Sequence, residues 1–556
     1  MSLVNGIERG IATSPECAPF LAKLPVQIGW MANARPPALN PGTQEQPVRL
    51  TYRLKSTATL LVLSLALAGC AVGPHFYRPT VPKGATYILK STTQPVSTSG
   101  IAVGGKQKLE LGGNLPGQWW ELFHSPALST LVKRALAKNP DLKAAQAALY
   151  QAQENLYAGR SSFFPTLQGG LQSQREQING ASLGLPGIHS TFSVVTGTLS
   201  ATYSPDIWGE FRRQVEALGA KVDYQRFELE ATYLALTSKI VITAINIASI
   251  RGQISETRQI ISTDANELSI VRRQFAIGGA SRTDVLLQKT SLAEARAKLL
   301  PLLKQLSLLQ NQLNALAGRF PNDSLNSNFS IDTLSLPGRL PITLPSKLIE
   351  QRPDIRAAEA LLHAASAQVG IATANQLPQF TIGASAGETA TGFTNLFSAA
   401  TGIWSIMGGV SQTLFDAGAL QDKKRAAIDA LLQATAQYRS TVIKSFQNVS
   451  DALQAVQLDA TALHAQAEAE KSAHQSYSLA KEQYRCGSIS YLTLLTSDRT
   501  WQRAKLSLIR AQSARLSDTA VLFQALGGGW WHRRDAADTP KKQNSLSLSI
   551  GTEFRK

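Results

Sequence analysis

Two hydrophobic periods divide this chain. Val442, Phe446, Val449, Leu453, Val456, Ala460, Leu463 and Ala467 recur in alternating steps of four and three, which places them along one stripe of a helix. Such a stripe is a coiled-coil seam, and its alanines allow close helix approach. No proline lies between Asp206 and Leu300 or between Gln379 and Thr539, so very long helices are permitted. A helix over Glu210–Ala276 would extend roughly 100 Å at about 1.5 Å per residue, too long for a globular core. Elsewhere the period is two. Phe380, Ile382, Ala384 and Ala386 alternate with Thr381, Gly383 and Ser385. Val195, Leu199, Ala201 and Tyr203 share one parity, Thr196, Thr198, Ser200 and Thr202 the other, and Trp404, Ile406 and Val410 continue the pattern in a fourth segment. Strands of about ten residues, apolar on one face and small or polar on the other, suit a membrane β-barrel. A half-buried soluble sheet has the same period.

The chain also repeats itself. Asn139-Pro140-Asp141-Leu142-Lys143-Ala144-Ala145 recurs as Arg352-Pro353-Asp354-Ile355-Arg356-Ala357-Ala358, and Phe164-Pro165 recurs as Leu377-Pro378, both at an offset of 213. Gln274-Phe275-Ala276-Ile277-Gly278 recurs as Gln483-Tyr484-Arg485-Cys486-Gly487 at 209, and Ala315-Leu316-Ala317-Gly318 as Ala525-Leu526-Gly527-Gly528 at 210. Four matches in one order at nearly one offset imply a duplication, each half carrying helix, strand, strand, helix, helix. Each half offers two strands. Four cannot close a barrel whose usual minimum is eight, so several chains must contribute, and a trimer would supply twelve.

Arg49, Arg53 and Lys55 precede an apolar run from Ala58 to Ala68, too short to span a bilayer and suited to the core of a signal peptide. The run ends in Leu67-Ala68-Gly69-Cys70, which looks like a bacterial lipobox; Cys70 would then carry the covalent lipid, the only non-protein group expected. Ala71 follows, where an Asp would favour inner-membrane retention, so outer-membrane sorting is favoured. Residues 1–48 are proline-rich and unpatterned, consistent with a long basic leader or, preferably, with a start downstream of Met1.

Composition narrows the field further. The formal charge is +17, but the basic residues are scattered, without the clustered aromatics of a nucleic-acid face, and no nucleic-acid partner is expected. Cys17, Cys70 and Cys486 have no metal or redox spacing. The seven histidines form no HExxH pair, and neither phosphate loop nor Gly-x-Ser-x-Gly elbow occurs. No enzyme, catalytic group or metal site is predicted. The remaining alternative from another class is a structural coiled-coil lipoprotein scaffold, which explains the seam but not the duplicated strand pairs.

These features resemble the TolC/OprM-type (NodT-like) outer-membrane factors over about Cys70 to Trp530. Cys70-Ala71-Val72-Gly73-Pro74 with Tyr77 and Pro79 is similar to the family's mature N-terminus, and Trp119-Trp120, Phe123 and Leu128 to the opening of its first helix. Asp206, Trp208 and Gly209, then Phe415, Asp416 and Gly418, resemble its strand-to-helix joints, and Ala525-Leu526-Gly527-Gly528-Gly529-Trp530 its C-terminal signature. The resemblance implies a homotrimeric α+β membrane protein, a 12-stranded β-barrel continuous with a long α-helical coiled-coil barrel. It would be the passive outer-membrane exit duct of a tripartite efflux pump for small molecules such as drugs, protein secretion being the alternative cargo. The implied partners are a periplasmic membrane-fusion adaptor, an inner-membrane pump of the resistance-nodulation-division or major-facilitator type, and outer-membrane lipid.

The implied division is 1–69 extension and signal, 70–118 lipidated segment, 119–335 first repeat, 336–530 second repeat and 531–556 polar tail. The adaptor-facing tip turns fall at Gly278/Ser281 and Gly487/Ser490, where reversal between long helices favours glycine at positive φ. Many relatives close the tip with a carboxylate ring; by motif alignment that position is Thr496 here, with Leu492 one turn earlier. A Thr496 ring carries no charge, so closure by Leu492 through apolar contact and dewetting is the expectation. Asp498 lies on a different helical face.

Overall fold

The structure, a computed structural model, describes residues 71–80, 103–179, 187, 189–323, 329–398 and 400–533. The expected signal peptide, the expected lipidation site Cys70 and most of the expected tail 531–556 lie outside them. The described residues group into two compact units, each drawn from both halves of the chain: one within 71–79, 152–221 and 361–435, the other within 80, 103–151, 222–360 and 436–533.

The order helix, strand, strand, helix, helix occurs twice. After a short strand β1 (Lys108–Leu111) and helix α1 (Pro126–Lys138), the first half runs α2 (Pro140–Arg160), β2 (Thr166–Asn179), β3 (His189–Tyr203), α3 (Glu210–Ala276) and α4 (Arg282–Leu316). After β4 (Arg339–Ile342) and α5 (Pro345–Gln351), the second runs α6 (Pro353–Ala374), β5 (Gln379–Ala390), β6 (Gly402–Ser411), α7 (Ala419–Arg485) and α8 (Tyr491–Ala525). The long helices match in length, 67 residues each for α3 and α7 and 35 each for α4 and α8. The β2–β3 pair, 14 and 15 residues, exceeds the ten expected. α4 also runs through an exposed Pro301, so the absence of proline is permissive for a long helix but not required.

In the first unit, β2, β3, β5 and β6 form one antiparallel sheet in that order. Its register aligns like with like. Gly169, Leu199, Ala386 and Trp404 lie across the strands in one row, and Leu167, Ala201, Ala384 and Ile406 in the next on that face. The other face aligns Gln168, Ser200, Ser385 and Ser405, with Ser385 and Ser405 hydroxyls 2.9 Å apart. The edge strands β2 and β6 are exposed along their whole length.

The first unit also seats the segment that follows Cys70. Val72 N–H donates to the Trp208 carbonyl (3.0 Å), and Arg213 Nε donates to the Val72 carbonyl (3.1 Å). Gly73, at φ +93°, lies so close to Gly370 that an added Cβ would fall 2.4 Å from its Cα. Phe76 stacks on His363, whose Nε2 is 2.9 Å from Glu216. Burial raises the Glu216 carboxyl, but hydrogen bonds from Arg213 and His363 outweigh this and hold it below its ordinary value.

The second unit holds the main apolar core. Ile240, Val241, Ala244, Ile245, Ile247 and Ala248 of α3 pack with Leu516, Ala520, Leu522 and Phe523 of α8 and with Trp119, Trp120 and Phe123. The most apolar stretch of α3 is hydrophobic enough to cross a membrane, yet 72% of it is buried within the protein, which identifies it as core. The predicted seam of α7 is buried at seven of its eight positions, and Phe446 packs against the core. β1 and β4 add a parallel pair that the hydrophobic pattern does not announce.

Candidate functional site: the helical tip

α3 ends and α4 begins around Gly278, and α7 and α8 meet likewise around Gly487. Both turns close the same way. Gly278 (φ +78°) follows the last residues of α3, and the Gly279 N–H reaches back to the Gln274 carbonyl at 2.7 Å. Gly487 (φ +74°) occupies the same place after α7, with Ser488 N–H to the Gln483 carbonyl at 2.9 Å. This satisfies helix-end carbonyls through a left-handed residue that glycine supplies without steric cost. Each following helix starts on a serine N-cap. Ser281 Oγ accepts from Asp284 N–H (3.1 Å) while the Asp284 carboxylate accepts from Ser281 N–H (2.9 Å), a complete capping box. Ser490 Oγ accepts from Thr493 N–H at 3.3 Å. Phe275 and Ile277 stand exposed at the first turn, and Cys486 at the second.

α8 presents two faces at this end. Leu492 and Thr496 are exposed one turn apart, and the Thr496 hydroxyl donates to the Leu492 carbonyl at 2.8 Å. On the other face Tyr491 and Leu495 pack with Val271 of α3. Tyr491 and Tyr484 meet edge-on at 5.6 Å, and the Tyr491 hydroxyl donates to Gln288 at 2.7 Å.

Continuing along that buried face brings in residues to which the sequence reading assigned no role. Asp498, 2% exposed, faces Asp264, which is fully buried, and Glu267, both on α3. Their carboxylate oxygens lie within 4.8 Å of one another. Burial, reinforced by the neighbouring carboxylates, lifts Glu267 and Asp498 to about 7 each, and burial likewise raises Asp264. The signal was present in the sequence: Thr257, Ile260, Asp264, Glu267 and Val271 step by three and four, so both acids occupy seam positions.

The duplicated helix, hairpin and helix-pair plan, with a strand sheet apolar on one face and polar on the other, defines a class of channel-forming outer-membrane proteins. The chain belongs to the outer membrane efflux protein family, whose model matches residues 131–319 and 344–528. It is 29% identical over 502 residues to the probable efflux pump outer membrane protein TtgC of Pseudomonas putida, covering 88% of this chain and 99% of that protein. It is 30% identical over 438 residues to the pyoverdine export outer membrane protein OpmQ of Pseudomonas aeruginosa, covering 74% and 87% respectively. Among solved structures, the outer-membrane channel OprN superposes with a TM-score of 0.74 at 23% identity, over 83% of this chain and all of that one. This protein is accordingly an outer-membrane efflux channel component with a helical part and a β part; its family's members are channels, not enzymes.

Proposed function

We propose that three copies of this chain assemble into a passive exit duct, a closed 12-stranded barrel in the outer membrane above a helical conduit, gated at the helical tip. The observation that carries this reading is the four-stranded sheet, apolar on one face and polar on the other, with both edges free. Free edges in lipid leave backbone groups unsatisfied; pairing β6 of one copy with β2 of the next removes every edge and turns the polar face inward. On this reading 119–335 and 336–530 are the two repeats, 70–118 the lipidated segment and 531–556 a tail. The seating of Val72 and Gly73 supports a fixed exit for a lipid on Cys70, a second membrane anchor beside the barrel. A periplasmic adaptor meets the crest formed by the Gly278/Ser281 and Gly487/Ser490 turns, and an inner-membrane pump selects the small-molecule cargo.

The exposed face of α8 is the gate. Three Leu492 side chains close the lumen by apolar contact, with an uncharged Thr496 ring one turn farther from the tip. Single-channel recording tests this. Leu492→Gly should raise resting conductance, and Thr496→Asp should confer current block by multivalent cations. Properly assembled variants with unaltered conductance and unaltered cation block would remove both residues from the gate.

A further inference from the structure

We propose that Asp264, Glu267 and Asp498 form a binding site for a calcium-sized hard cation, joining α3 to α8 within one subunit. The site is separate from the exposed Leu492/Thr496 face, since Asp498 lies on the buried side of α8. Three observations point to a ligand. Asp264 is fully buried, and neither of its carboxylate oxygens makes a hydrogen bond of good geometry, although the side chains of Ser291, Gln288 and Gln502 lie near enough to favour its charged form against burial. A buried carboxylate left unpaired is costly, and its oxygens are aimed at two further carboxylates.

The second observation is that, among the described residues, no cation makes an ion pair with the cluster. Lys505 pairs with Glu256 at 2.7 Å and Arg499 with Glu294 at 3.8 Å. Among the described residues, no ion pair reaches Asp264, Glu267 or Asp498. Lys481, Lys505 and Arg499 act on the cluster only through space.

The third is the fit of size and donor type. Oxygens within 4.8 Å of one another can all reach a cation bound at about 2.3–2.6 Å, the calcium range, whereas magnesium demands about 2.0–2.1 Å and octahedral regularity. The donor set is oxygen only, which disfavours zinc or copper. The Gln288 amide braces the site, donating to the Asp264 carbonyl at 3.1 Å and to Glu267 at 3.3 Å.

Aromatic rings give the site a direct reporter. Tyr477 bonds Glu267 and stacks on Trp501 at 5.0 Å, so terbium, a calcium-sized probe, should emit when these rings are excited. The experiment uses the full-length assembled protein, stripped with a chelator and titrated with terbium. One sensitised terbium per chain is expected, displaced by excess calcium and far less readily by magnesium. Asp264→Asn and Asp498→Asn should each weaken terbium affinity at least about tenfold, since even outer-shell partners of a metal contribute that much. Glu121→Gln, an exposed acid paired with Lys133 outside the cluster, should leave it unchanged. Wild type without sensitised emission, or cluster variants that bind as wild type while eluting as assembled protein, would overturn the proposal.

Discussion

Gly487 and Gly318 share a positive φ but differ in surroundings. A Cβ added at Gly487 meets nothing within 4 Å, whereas one at Gly318 falls 2.6 Å from the Lys138 carbonyl oxygen. Gly487→Ala therefore costs only the left-handed backbone penalty, about 1–2 kcal/mol, confined to the tip. Hydrogen exchange should show faster opening of the α7–α8 turn alone, by about tenfold for each 1.4 kcal/mol, with global unfolding unmoved. Gly318→Ala should lower the global unfolding midpoint. Equal global losses in both variants would contradict this distinction. The tip glycines and serines were legible because a left-handed residue followed by an N-cap is written in the spacing Gly-x-x-Ser. The acids were legible only in part: the seam spacing places Asp264 and Glu267 on the buried stripe of α3, but only the pairing of α3 with α8 brings Asp498 to them.

At the scale of elements, the seam of α7 and the span of α3 were readable from period and length. The β1–β4 pair was not, since four-residue strands paired Lys108 to Arg339 carry too little pattern to be linked across the chain. Between α7 and α8, Asp459 sits beside Asp518. Burial first, then the hydrogen bond and charge of Asp518, push its carboxyl well above the ordinary range, against a smaller opposing pull from Arg515. A raised folded-state value means that the native protein holds a proton the unfolded chain releases. Its contribution is full below about pH 4 and is lost as pH rises through the folded-state value. Asp459→Asn should flatten that part of the slope. Thermal midpoints at pH 5 and pH 8 check it: wild type should lose more than the variant between the two. An identical loss in both proteins would show that Asp459 does not titrate in this way.

For the whole molecule, the duplication predicted from four short matches reappears as two pairs of long helices of equal length. What sequence could not supply was the strand register. Period two shows that a strand has two faces, but only the pairing shows that Leu167, Ala201, Ala384 and Ile406 fall on the same one. On the proposed reading, other copies complete that continuous apolar face, which ends in two free edges, in lipid. Conductance of the purified wild-type complex across a planar bilayer tests this most directly. The account predicts discrete current steps from protein that elutes at the mass of three chains. Silent bilayers, or steps from protein that remains a single chain, would contradict it.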